Sequence, residues 1–356
     1  MRLLEILREA HRNTATGMSR AIIWLLCWTV AVAAPVLLDT ATVASVLAAQ
    51  EDFRNAGGDV TIVSAPGHVT ADGCLGLNTV DGIEGAIALR KTTTKAPLAA
   101  LPNTAPPLIE YAGDLAHVLP VSLSGSGIAL DASIAKELGA EAGSSLAGTD
   151  GASTIQVAGV FDWPDDGRVA TLSGAALAPV PATGSFDECW VRAWPPDTDL
   201  QPILLLATDG DSSSETRTGP LNDSLGVGHS TAELLTKRTT AMSPWTAPLL
   251  ALIIGILTIW LRRIEFAGNL HAGAQRAELT LQVLLETASW VLPAYGLVIV
   301  GEYLLVQQIV APGDALAVFL DSLAPISAAA AATLIGSAIS IAAIRRSSLY
   351  RYVKDR

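Results

Sequence analysis

Two arginines and a glutamate, Arg262, Arg263 and Glu265, stand where one long apolar run ends, and Arg276 and Glu286 follow as the next begins. Guanidinium groups at such a boundary favour the cytoplasmic side of a bilayer. A carboxyl inside an apolar run is costly and often functional. Glu286, about two turns into its run, either reaches back to the interface or meets a neighbouring helix. Glu302 lies toward the other end of that run, at a rim reached by water, and receives no role. Cys74 and Cys189 are read as one disulfide, which an oxidising compartment permits, against the alternative of two buried thiols. Cys27 reads as a small apolar core residue.

Other chemistry is missing from the sequence. No G-x-x-x-x-G-K-[ST] loop is present to cradle phosphates, and no G-x-S-x-G elbow to present a nucleophile. The five histidines (His11, His68, His117, His229 and His271) fall at no metal-ligand spacing. Asp162, Asp165 and Asp166 form a solvated acidic turn that lacks the fuller oxygen-ligand loop of a calcium site. Residues 123–127, LSGSG, read as a strand-ending turn. The chain is therefore expected to be no enzyme, with no cofactor and no metal.

The elements around these residues are long apolar runs. Half of the 356 residues are hydrophobic, concentrated at 21–38, 244–261, 281–306 and 318–344, each near or above the ~18 residues that span a hydrocarbon core. Pro293 and Gly296 predict a bend in the third run, and the Ala-rich fourth, with Gly336 and Ser337, suits close helix packing. Residues 1–20 place Leu3, Ile6, Leu7 and Ala10 opposite Glu5, Arg8, Glu9 and Arg12, an amphipathic helix on the inner membrane face. Residues 262–280 form a short cytoplasmic segment and 345–356 a basic tail. Basic residues outnumber acidic ones in all three small segments, whereas residues 39–243 carry 25 acids against 10 basic residues. That asymmetry puts both termini in the cytoplasm and the acidic region outside. The acidic surface also excludes nucleic acid, whose phosphates require clustered Lys and Arg.

The outward region predicts strands at 59–63, 86–89, 108–111, 118–122, 155–161, 189–193 and 203–207. A helix over 131–138 is capped by Asp131 or Ser133. Residues 209–222 read as a flexible loop, and 230–239 as a helix returning to the second span. The fold class is thus an α+β membrane protein: four transmembrane helices, with a large mixed α+β extracytoplasmic domain between the first and second.

Residues 260–286, WLRRIEFAGNLHAGAQRAELTLQVLLE, resemble the MacB/FtsX-type permeases, membrane subunits of ABC transporters. Arg262, Arg263, Glu265, Ala267, Gly273, Ala274, Arg276 and Glu286 fall in register with that family's pattern, while Gly268, Asn269 and His271 depart from it. The opening MRLLEILREAHRN and the stretch from Gly127 to Pro164, with Gly139, Gly143 and residues 157–160 in family places, extend the likeness. So does the order of one span, a large domain and three spans.

The resemblance implies a homodimer or heterodimer of permeases bound to a separate cytoplasmic ABC ATPase. ATP-driven movement would pass to the outward domains by mechanotransmission, without substrate crossing the bilayer. It implies an ATPase-coupling set of Arg262, Arg263, Glu265, Phe266, Leu270, Gly273 and Arg276, with Glu286 in a structural or coupling role. It also implies a peptide, lipid or lipoprotein-like substrate, exported or extracted. Two alternatives stay open: a motor-less membrane-anchored interaction or signalling protein, for which Gly268 and Asn269 speak, and an FtsX-like cell-division regulator.

Overall fold

The computed structural model describes residues 20–195, 200–209, 216–226 and 231–344, together with Arg8, Arg12, Asn13 and Thr16. The expected inner-face helix over 1–20 and the basic tail at 345–356 lie, for the most part, outside the described residues. The chain divides into two compact units, Ala49–Glu233 in one and Met1–Ala48 with Leu234–Arg356 in the other. The architecture is mixed α+β with four long apolar helices.

Helix α1 spans Ala21–Asn55, 35 residues, well past the expected end at 38. Residues 39–55 contain neither Gly nor Pro, so nothing stops the helix before Gly57, which takes the left-handed conformation. The region expected to lie wholly outside as a globular domain therefore begins inside a helix.

The unit Ala49–Glu233 is built on one nine-stranded sheet. Its strands are β1 (Val60–Thr70), β2 (Ile83–Lys95), β3 (Pro107–Ala112), β4 (Ile128–Asp131), β5 (Ser145–Ala147), β6 (Thr154–Phe161), β7 (Ala176–Pro179), β8 (Ser185–Ala193) and β9 (Arg217–Pro220). The spatial order is β5-β6-β4-β7-β3-β2-β8-β1-β9. The pairs β3/β7 and β4/β6 are parallel and the others antiparallel. Side chains alternate between two cores, because successive residues of a strand point to opposite faces. Ile62, Ile87, Leu89 and Trp190 bury on one face, and Val63, Ala86, Ala88 and Val191 on the other.

Helix α2 (Ala71–Gly76) lies on the second face. A disulfide between its Cys74 and Cys189 of β8, with Cα atoms 5.8 Å apart, ties it there. Helix α3 (Ala132–Leu138) crosses from β4 toward β6. The Asp131 carboxylate caps its start by accepting from the Ser133 amide at 2.8 Å, and left-handed Gly139 ends it.

Two expected strands do not form: 118–122 holds the last residue of a helical turn and then irregular chain, and 203–207 is helical. Asp114 caps a helical turn over Leu115–Val118, and Pro120, lacking an N–H, keeps the following residues out of the ladder. Pro202 opens a helix at Gln201–Leu204, continued by a 3-10 turn at Leu205–Ala207. Within the expected loop 209–222, residues 217–220 form β9 against β1.

The other unit is a helix bundle. After a helix at Thr231–Lys237 come α4 (Ser243–Trp260), α5 (Arg263–His271), α6 (Arg276–Ile309) and α7 (Ala315–Ala343). By length and composition α1, α4, α6 and α7 can each cross a membrane. All four contain proline, and α6 runs on through Pro293 as one helix.

Their core gathers Trp28, Val32, Ala247, Ala251, Trp290 and Ile326. Glycines bring α4 and α7 into backbone contact: a Cβ on Gly255 would meet the Thr333 carbonyl at 2.2 Å, and one on Gly336 the Leu252 carbonyl at 2.5 Å. Hydrogen bonds cross the same bundle. Trp28 Nε1 donates to the Thr333 hydroxyl at 2.8 Å, and the Ser337 hydroxyl to the Gly255 carbonyl at 3.2 Å. Cys27 is exposed on α1 rather than buried in this core, because its neighbour Trp28 takes the inward position.

Candidate coupling site at the basic end of the bundle

Helix α5 is short because its sequence is closed at both ends. Glu265 in its first turn suits the positive end of the helix dipole. Gly273, with φ of 98°, reverses the chain after it. A capping box of Gln275 and Glu278 then starts α6. Phe266, Ala267 and Leu270 share one face and bury against Ile259 of α4, Leu279 and Val283 of α6, and Ile341 of α7.

Arg262 sits in the turn between α4 and α5 and holds two acids at once. Its Nε and Nη2 donate to the two oxygens of Glu265 at 2.9 and 2.7 Å. Its Nη1 donates to Glu286 Oε2 at 2.6 Å. The guanidinium lies 4.9 Å from the centre of the Phe266 ring, a cation–π contact. Burial opposes the charge of Arg262, but the hydrogen bonds to Glu265 and Glu286 outweigh it and hold its pKa above the usual value.

Glu286 is 4% exposed. Its other oxygen accepts from Gln282 Nε2 at 3.0 Å and Asn13 Nδ2 at 2.9 Å. A pocket of about 10 Å³ beside it, lined by Thr258, Arg262 and Thr287, has the size of one water. Chemically the cluster is a closed clamp. It joins the end of α4, the start of α5 and the first turns of α6, with one guanidinium shared between two carboxylates.

The remaining residues of the expected set divide. Arg276 donates to the carbonyls of Ala342 and Ile344 at 3.0 and 3.3 Å, satisfying the end of α7. Arg263 stacks 4.2 Å from the Trp260 ring. Phe266 and Leu270 are core residues of the bundle, with 0 and 1% exposure, and present nothing to a partner. The surface that α5 does offer includes exposed His271 and half-buried Ile264, Gly268 and Asn269, with open space within 4 Å of an added Cβ on Gly268.

No protein-family model matches the chain, and no curated protein matches its sequence. Among solved structures, the chain is similar to the periplasmic region of MacB from Actinobacillus actinomycetemcomitans. That match has 11% identity and a TM-score of 0.36, and covers 53% of this chain and 98% of that one.

Sequence reasoning missed three side chains. Gln282 stands one helical turn before Glu286, a spacing at which side chains meet, so that contact was open to inspection. Asn13 gives no such signal, being 273 positions away. Glu302 is the larger correction. It is not at a wet rim but fully buried, and its Oε1 accepts a hydrogen bond from the Thr40 hydroxyl of α1.

Proposed function

We propose that this chain is the membrane subunit of a MacB/FtsX-type ABC transporter, working with a separate cytoplasmic ATPase and a second permease. The observation that carries the reading is the Arg262 clamp. It makes α5 a short arm fixed to two membrane helices, so that pushing the arm displaces both. Charge asymmetry supports an orientation with this arm in the cytoplasm and the acidic sheet unit outside. ATP chemistry belongs to the partner in this reading, and movement of the outward unit acts on a peptide, lipid or lipoprotein-like substrate.

Orientation is tested in intact cells with an impermeant maleimide, in a Cys27→Ser background. Ala152→Cys should react and Ala272→Cys should not; reversed labelling overturns the topology. Coupling is tested by co-expression with the ATPase. Gly268→Trp fills open space on α5 and should abolish permease-stimulated hydrolysis at unchanged expression, while Gly268→Ala keeps it. Equal stimulation by both would remove α5 as the arm. That outcome would favour the second reading, a motor-less interaction protein, which draws support from the burial of Phe266 and Leu270 within the chain's own bundle.

A further inference from the structure

Glu302 is a buried acid that the Arg262 clamp does not use. It extends from α6 toward α1 and α7, with no exposed surface. Thr40 of α1 meets its Oε1. Its Oε2 is enclosed and has no hydrogen-bond partner among the described residues. The Ser322 hydroxyl of α7 is within hydrogen-bonding reach of the carboxyl, but its short hydrogen bond, at 2.8 Å, goes to the Phe319 carbonyl.

The charges around it give no relief. On α1, Asp39 precedes Thr40 and acts on Glu302 as a like charge. On α7 stand Asp321 and, at its start, Asp314. Arg238, in the segment before α4, is committed: Nε and Nη2 donate to the Asp39 oxygens at 2.7 and 3.2 Å, and Nη1 to the Leu235 carbonyl at 2.5 Å. On α6 itself the adjacent titratable group is the Tyr303 phenol. No cation forms an ion pair with Glu302 among the described residues.

A buried carboxylate needs donors or a cation for both oxygens. A buried carboxylic acid needs much less, since its O–H can donate to a hydroxyl and its remaining oxygen is only a carbonyl. Thr40 serves either form and does not decide between them. The orphan oxygen and the missing cation do. We propose that Glu302 is a proton-binding site: at neutral pH it carries a proton at the junction of α1, α6 and α7.

A groove of about 520 Å³ between α1, α7 and the segment before α4 has Thr40 and Ser322 in its wall, with Asp39, Arg238 and Asp321. Thr40, which is hydrogen-bonded to the carboxyl, links it to that groove and would relay the proton in exchange. Loss of the proton leaves a charge that must recruit water, which loosens α1 from α6 and α7. This site stands independently of any coupled ATPase.

Infrared difference spectra of the full chain in lipid nanodiscs, wild type minus Glu302→Gln, test the proposal at neutral pH. The expected signal is a protonated-carboxyl C=O band that shifts down in D2O and vanishes as the pH is raised, unchanged when sodium is replaced by choline. A pair of carboxylate stretches at neutral pH, or a sodium-dependent band, would overturn it. If Glu302→Gln fails to assemble, Thr40→Val reports on the same carboxyl. Loss of the hydroxyl should move the band to higher frequency without abolishing it, and an unmoved spectrum counts against the site.

Discussion

Glu286 and Glu302 lie on one helix and are buried almost equally, at 4 and 0% exposure, yet their surroundings differ in kind. Glu286 meets a guanidinium and two amide donors. Glu302 meets one hydroxyl and keeps an oxygen without a partner. Depth of burial therefore says little about what a membrane carboxyl does. The donors that reach it decide whether it fastens helices as a charge or responds to its medium as an acid.

The largest test of this contrast is Arg262→Ala. It strands Glu286 as a buried charge, and unfolding in detergent should show a loss of about 3–5 kcal/mol. Arg262→Met combined with Glu286→Leu should recover most of it, since neither charge then remains. At the other end Thr40→Val should cost about 1 kcal/mol, one neutral hydrogen bond. Equal losses at the two ends would erase the distinction.

In the sheet unit a covalent bond takes the place of such a clamp. Replacing both Cys74 and Cys189 by Ala should lower stability by about 2–4 kcal/mol, read by denaturant unfolding under non-reducing conditions. A change within error would mean that the core on its face of the sheet already holds α2 in place.

Asp59 offers a third environment, a fully enclosed carboxyl that does have cations. Arg192 and Arg54 reach it at 3.1 and 3.2 Å, but burial outweighs them and its pKa stands above the ordinary value. The folded state therefore keeps this proton to higher pH than the unfolded chain. Its contribution to stability falls as the pH climbs from about 4 through the raised value, then levels off. Melting temperatures across the acidic range should show a flatter profile for Asp59→Asn and a steeper one for Arg192→Met. Opposite slopes would show that the two arginines, not burial, govern the group.

The smallest effect is expected from Gly268→Ala. The side chain enters open space, so only backbone freedom changes, and α5 should gain up to about 1 kcal/mol in the same unfolding assay. A loss would mean that the face counted as open is occupied.

The spans were legible because runs of apolar residues long enough to cross hydrocarbon are a one-dimensional signal. The end of α1 was not, since the apolar run weakens at Asp39 while the helix continues to the glycines at 57 and 58. Strand β8 was legible in part from its β-compatible residues. The Leu-rich segment at 203–206 suits a strand equally well by residue type, and Pro202 alone marks it as the start of a helix. At the candidate site, Arg262, Glu265 and Glu286 were found as residues but not as one clamp, because the partner across the turn is 24 positions away. Glu302 was misplaced for a plainer reason: position along a helix gives depth but not which neighbour covers the side chain.

The glycine contacts between α4 and α7 carry a mechanical consequence. With Gly255 seated on the Thr333 carbonyl and Gly336 on that of Leu252, neither helix can slide along the other without driving side chains into backbone. The two behave as a single beam with no bearing surface between them. Any displacement of α4 is thereby passed to α7, and the freedom to shear must be found along α1 and α6.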